Sequence, residues 1–143
     1  MITAQCTVRA PVEDVWTSLV DLDGYPSWNP FITSASGSVD VGQRLELTMQ
    51  LPGSQARRFT PWVTAVEPGR YLEWLGCPGL PGVFDGRHSF SLTPLSVART
   101  LVQQAGTFNG LLVPFAPAIL VRTRAGFEAM NATLAWRALQ HAP

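Results

Sequence analysis

The stretch Leu111–Gln140, LLVPFAPAILVRTRAGFEAMNATLAWRALQ, decides the fold. Within it Leu120, Thr123, Phe127, Met130, Leu134 and Ala138 recur at the spacing of one helical face, which predicts a single long C-terminal helix. Pro114 and Pro117 belong to its approach and first turn, because an interior proline removes a backbone hydrogen bond and clashes with the preceding turn. The apolar part, Leu111–Val121, is short and carries both prolines, whereas a membrane-spanning helix needs about 20 apolar residues.

Upstream of the helix, residues Ile32 to Phe108 read as short β-type runs separated by turn clusters. These clusters are VDVGQ around Gly42, LPGSQ around Gly53, EPG at Gly69, GCPGLPG from Gly76 to Gly82 and TPLS around Pro94. The spacing predicts six antiparallel strands joined by hairpins, one of them carrying both Phe59 and Trp62. Ile2 to Arg9 adds a first strand. A helix follows, with Pro11 as its first residue, Glu13 and Asp14 in the first turn, and Val12, Val15, Trp16 and Leu19 on one face. The segment DLDGYPSWNPF, Asp21–Phe31, is then a compact turn or one short helical turn whose aromatics need burial. The expected architecture is α+β: a seven-stranded curved antiparallel sheet wrapped around the C-terminal helix, forming one domain over residues 1–143.

Composition narrows the function classes. The 143 residues are 46% hydrophobic and 14% charged, too apolar for disorder and ordinary in length for one domain. All ten basic side chains are arginine, and ten acidic residues balance them to a formal charge of +0. With no basic excess, nucleic acid and anionic membrane are poor expectations. Cys6 and Cys77 are too few and too far apart for a disulfide framework or a thiolate metal site. The N-terminus lacks a basic start followed by an apolar core, so a cytoplasmic protein is expected.

The motifs APVEDVW (Ala10–Trp16), YPSWNPF (Tyr25–Phe31), GRHSFSLTP (Gly86–Pro94), TFNGLLVP (Thr107–Pro114) and GFEAMNATL (Gly126–Leu134) follow one another along the chain. In that combination the sequence resembles the polyketide cyclase/START-like (SRPBCC) superfamily. The resemblance covers nearly the whole chain. It implies the helix-grip fold, in which a sheet grips a C-terminal helix around a deep apolar pocket. Lipid and sterol carriers, polyketide cyclases and dehydratases, plant hormone receptors and co-chaperones all share that fold, so the resemblance alone does not assign an activity.

His88 is the leading candidate for chemistry. Alternation along VFDGRHSFSL places Phe84, Gly86, His88, Phe90 and Leu92 on one side of a strand and Asp85, Arg87, Ser89 and Ser91 on the other. An imidazole on the apolar side can orient a ligand carbonyl or act as general acid/base, its unperturbed pKa being about 6.5. It can equally be a satisfied core histidine. On the last strand the same alternation groups Thr100, Val102, Gln104, Gly106 and Phe108. Relatives in the resembled superfamily carry His or acidic residues at the positions of Gln104 and Gly106. Gln104 hydrogen-bonds but does not exchange protons, so the departure favours binding over catalysis.

Aromatic side chains are spread over every element expected to face the interior. Trp28 and Phe31 follow the first helix, with Phe59 and Trp74 on middle strands. Phe84, Phe90 and Phe108 lie on the last two strands, and Phe115, Phe127 and Met130 on the final segment. As a set they describe an apolar ligand site, with His88, Gln104 and Asn131 as its polar points.

Other chemistries find no support. Two histidines, His88 and the near-terminal His141, offer no metal-ligand set. Ser89 and Ser91 face away from His88, no G-x-S-x-G elbow exists, and the scattered carboxylates read as solvated. The GCPGLPG loop has no lysine and opens no helix, so it reads as a lip of the pocket.

The first expectation is therefore a protein that binds a small hydrophobic ligand, lipid-, polyketide- or aromatic-like, without cofactor or metal. The second is a cyclase or dehydratase using His88 for proton transfer. The third is a co-chaperone-like interaction module. Neither nucleic acid nor a membrane span is expected, and the chain is a monomer or homodimer.

Overall fold

A computed structural model describes residues 1–77, 82–83, 85–115 and 117–140, the side chain of Phe115 excepted. Phe84, the Phe115 side chain, His141 and the centre of the GCPGLPG loop therefore lie outside the described residues.

Strand β1 (Ile2–Val8) leads into helix α1 (Val12–Val20) and a 3₁₀ helix at Leu22–Ser27. Strands β2 (Ile32–Ser36), β3 (Glu46–Met49), β4 (Arg57–Phe59), β5 (Trp62–Glu67), β6 (Tyr71–Gly76), β7 (Asp85–Ser96) and β8 (Arg99–Asn109) follow. A 3₁₀ turn at Val113–Phe115 enters helix α2 (Pro117–Leu139). All neighbouring strands pair antiparallel, in a five-stranded sheet ordered β1-β8-β7-β6-β5 and a three-stranded sheet ordered β2-β3-β4.

The fold is the expected one, but the seven expected strands are eight. The difference lies at Thr60–Pro61, where a single strand was expected to carry Phe59 and Trp62 and two short strands stand instead. Pro61 has no N–H to give a ladder. Its carbonyl still accepts from the Leu45 amide at 2.9 Å, so the chain keeps its place while the pairing breaks. Gly42 N–H donating to the Val63 carbonyl, Val63 N–H donating to Gln43, and an Arg44–Trp62 bridge stitch the two sheets together. The Arg44 guanidinium covers the half-exposed Trp62 ring at 3.8 Å, a cation–π contact.

Local chemistry explains the other boundaries. Pro11 stands just before α1 rather than inside it. Its carbonyl accepts the first helical N–H groups, from Asp14 and Val15, while its own ring carries no donor to satisfy. At Glu67-Pro68-Gly69-Arg70 the Arg70 amide donates back to Glu67 at 2.9 Å. Proline presets the second position there, and Gly69 supplies the φ of 75° that the third requires. Asn29, in the WNP element, accepts both the Phe31 and Ile32 amides on its Oδ1, at 3.0 and 2.9 Å, and so turns the chain into β2.

On α2 the predicted stripe holds. Thr123, Phe127, Met130, Leu134 and Ala138 are buried, and Leu120 is half-buried. The helix packs against β1 and α1. Gly126 lies against Phe31: a Cβ on this glycine would land in the Phe31 ring. The missing side chain thus lets helix and aromatic meet at closest approach.

Candidate functional site

The register of β6, β7, β8 and β1 builds the helix-facing side of the larger sheet in rows. Leu72, Phe90, Gln104 and Ala4 stand abreast, then Trp74, His88, Gly106 and Ile2, then Gly76, Gly86 and Phe108. The side-chain period of two, read from sequence for β7 and β8, holds on both strands. α2 closes the chamber from above.

His88 sits at its centre, 7% exposed. Its ring stacks between Phe90, with centroids 4.4 Å apart, and Phe127, at 4.5 Å. Trp74 meets it edge-on at 5.1 Å, and Phe31 is tilted at 6.2 Å. The first polar contact is His88 Nε2 with Gln104 Oε1 at 2.9 Å. Gln104 Nε2 donates in turn to Asn131 Oδ1 at 2.7 Å and to the Phe127 carbonyl at 3.3 Å.

These contacts assign the protons. A carbonyl only accepts, so the amide nitrogen of Gln104 must face Phe127, which turns Oε1 towards His88. His88 Nε2 therefore carries the hydrogen and donates it, leaving the lone pair on Nδ1. Burial pushes the imidazole pKa down to about 4, outweighing the upward pull of Gln104. The ring is neutral at neutral pH.

Five buried side-chain donors lack an acceptor among the described residues; Trp28 Nε1, Asn29 Nδ2 and Arg137 Nε lie elsewhere, and Trp74 Nε1 and Asn131 Nδ2 stand in this region. An unsatisfied buried donor costs about 1–3 kcal/mol, so an interior that keeps two of them invites an acceptor from outside. In the sequence Asn131 registers as a polar point of the site but Trp74 only as apolar lining, so the indole donor was missed.

Glycine shapes the floor. A Cβ on Gly76 would fall inside the Phe59 ring, and one on Gly106 would lie 2.9 Å from Phe127. Phe59 thus rests on bare backbone at the end of β6, and Phe108 borders Gly86.

Phe31, Trp74, Phe90, Gln104 and Phe127 come together around His88. Phe59 and Phe108 stand at the glycine end, partly buried, and Met130 is fully buried in the core. Trp28 is buried in the same core and meets Tyr25, with centroids 5.2 Å apart. The turn at Leu22–Ser27, anchored by the Tyr25 hydroxyl donating to the Leu19 carbonyl at 2.5 Å, holds it there.

Around His88 the chamber is lined by the rings of Phe31, Trp74, Phe90 and Phe127. A cleft of about 420 Å³ lies elsewhere, lined by Trp16, Val20 and Leu22 with the carboxylates of Asp21, Asp23 and Asp40. A smaller one of about 150 Å³ lies over β2 and β3. Neither touches His88.

On the outer face Glu73 is more than the solvated carboxylate its alternation suggests. It accepts from Thr64, Tyr71 and Arg87 at 2.8, 2.9 and 2.9 Å. Burial alone would raise its pKa, but these partners together hold the carboxyl below its ordinary value. No group of three or more His, Cys, Asp or Glu side chains among the described residues is arranged to hold a metal ion.

With this geometry in place, comparison with known proteins is informative. The profile of the family described as polyketide cyclase / dehydrase and lipid transport matches residues 1–138. The chain belongs to this family. Among solved structures, a START superfamily protein from Mycobacterium smegmatis is 22% identical with a TM-score of 0.76, each chain covered to 97%. The Zhui aromatase/cyclase from Streptomyces sp. R1128 is 17% identical, with a TM-score of 0.76 over 99% of this chain and 94% of that one. Norcoclaurine synthase from Thalictrum flavum, in complex with dopamine and hydroxybenzaldehyde, is 16% identical, with a TM-score of 0.75 over 99% and 87%. At such identities these neighbours share the family's fold. No curated protein sequence matches the chain.

Proposed function

We propose that the protein binds a small hydrophobic ligand carrying an oxygen acceptor, held between β6–β8 and α2 beside His88. The observation that carries this reading is the pair of unsatisfied donors, Trp74 Nε1 and Asn131 Nδ2, in an otherwise aromatic interior. Apolar burial supplies affinity at about 25 cal/mol per Å², and the few polar groups orient the guest. A guest enters at the glycine end, past Phe59, which is partly buried on the Gly76 backbone.

Proton transfer is the second reading, favoured by the family and by the lone pair on His88 Nδ1, which makes no hydrogen bond among the described residues. Against it stand the lowered pKa and a partner, Gln104, that carries no titratable proton. A base with a pKa of about 4 is mostly unprotonated at neutral pH but abstracts protons weakly. Binding is therefore the better account of the described geometry. The co-chaperone alternative has no specific observation behind it.

A matched pair of probes tests the proposal. 2-Acetylnaphthalene and 2-ethylnaphthalene differ in a carbonyl, and native mass spectrometry reports on both. The ketone is expected to bind several-fold more tightly than the hydrocarbon, and Trp74→Phe, read by native mass spectrometry, to erase that preference while keeping hydrocarbon affinity. Equal affinities in the wild type, or binding of neither probe, would overturn the reading.

A further inference from the structure

We propose that the cleft at the C-terminal end of α1 binds a small organic ammonium ion with an aromatic body. It measures about 420 Å³ and opens where α1, the loop between β2 and β3, and the turn between β5 and β6 meet. Trp16, Val20, Val39 and Val66 wall it with half-buried apolar side chains, and Asp21, Asp23 and Asp40 supply its charge. The volume falls within the range of small-molecule sites, about 300–1,000 Å³. No residue of the His88 chamber lines it, so the inference does not depend on what that chamber binds.

Charge selects the guest. None of the three carboxylates makes an ion pair among the described residues, and no basic side chain lines the cleft. Arg70, two residues beyond Pro68, is exposed and shares its turn with the exposed Glu67, so that pair adds no net charge. The backbone contributes independently of these side chains. Asp21 caps the C-terminus of α1 and Asp23 follows it, although the last turn of that helix holds no basic residue. The helix dipole puts partial negative charge at this end, where a cation is stabilised and a carboxylate is not. Side chains and main chain thus gather negative potential at one concave, largely apolar place and leave it unneutralised. A metal ion is a poor occupant. No group of three or more His, Cys, Asp or Glu side chains is arranged to hold one among the described residues, and an aliphatic wall offers it no ligand. An ammonium group beside the carboxylates, with its aromatic body against the Trp16 indole and the valines, satisfies both the charge and the wall.

Titration of the full isotope-labelled chain with phenethylammonium, and with its neutral counterpart 2-phenylethanol, tests the proposal by NMR. The ammonium ion is expected to shift the Trp16 indole N–H and the Val39 and Val66 amides. It should bind several-fold more tightly than the alcohol and weaken as salt rises. D23N/D40N removes two exposed carboxylates without touching the core. Its affinity for the ammonium ion should fall about tenfold, from about threefold per exposed ion contact, while the alcohol binds as before. Glu128→Gln, an exposed position on α2, should behave like wild type. The proposal falls if neither probe perturbs Trp16, if the two bind equally, or if D23N/D40N retains wild-type affinity for the ammonium ion. It also falls if Glu128→Gln weakens binding as much, which would mark a general charge effect. Shifts centred on His88 and Phe90 instead of Trp16 would overturn it while leaving the chamber reading standing.

Discussion

His88 gives its Nε2 hydrogen to Gln104 at 2.9 Å, and Gln104 passes its own to the Asn131 side chain at 2.7 Å, so three side chains from β7, β8 and α2 form one directional string. Each member fixes the next one's orientation. Cutting the string in the middle strands both ends inside an apolar chamber.

Gln104→Leu should therefore destabilise more than the loss of one hydrogen bond. It leaves His88 Nε2–H and Asn131 Oδ1 unpaired, a cost of about 2–4 kcal/mol. Urea denaturation monitored by far-UV circular dichroism should show the lower midpoint. The double variant His88→Phe/Gln104→Leu should recover part of it by removing one of the stranded groups.

The same burial makes stability depend on acidity. The folded pKa of His88, about 4, lies below its unfolded value of 6.5, so between these values the unfolded chain binds a proton that the folded one refuses. Stability is full above pH 6.5, declines as pH falls towards 4 and is flat in this respect below. Between pH 7 and pH 5 the loss is about 2 kcal/mol. Urea unfolding at the two pH values measures it, and His88→Gln should flatten this window while leaving any Glu73 contribution, which is lost only on further acidification as its lowered pKa is crossed.

Gly76→Ala places a methyl group where the Phe59 ring lies. Overpacking of this kind costs about 1–3 kcal/mol. Phe59→Ala in the same chain should restore much of the loss, and a double-mutant cycle measured by thermal denaturation gives the coupling. An additive cycle would show that ring and backbone do not meet.

Gly126→Ala sets two effects against each other. Alanine improves helix propensity by about 1 kcal/mol, while the added methyl meets Phe31. A clash worth about 1–3 kcal/mol wins, so the variant should be less stable. With Phe31→Leu in the background the sign should reverse.

The elements of the fold were legible because they rest on periodicity. The α2 stripe from Leu120 to Ala138 and the alternation from Gly86 to Leu92 need no tertiary information, and both hold. The break at Pro61 was equally present as a residue type. Whether a proline ends a strand or occupies its edge, however, depends on which neighbour needed its N–H, and sequence does not name the neighbour. The site was legible in its rows and not in its contents. That His88 and Gln104 share a face follows from alternation and the pairing of β7 with β8. That Phe90, Phe127 and Phe31 pack around His88 depends on ring orientation across elements far apart in the chain. Trp28 shows the limit: its hydrophobicity predicts burial but not that Tyr25 is the ring it meets. Glycine seats leave little trace in pattern, since Gly76, Gly106 and Gly126 matter through the volume they lack.

Phe31 against Gly126 works as a shim, wedged between the turn leading into β2 and the rod that crosses the sheet. Its thickness, one aromatic ring laid on bare main chain, sets the stand-off there and with it the headroom over His88. A trimmed shim would let the rod settle closer, and a bulkier residue at position 126 would jack it away, so the gauge of the grip is tunable at a single point of contact one residue along from Phe127, whose ring stacks on the imidazole.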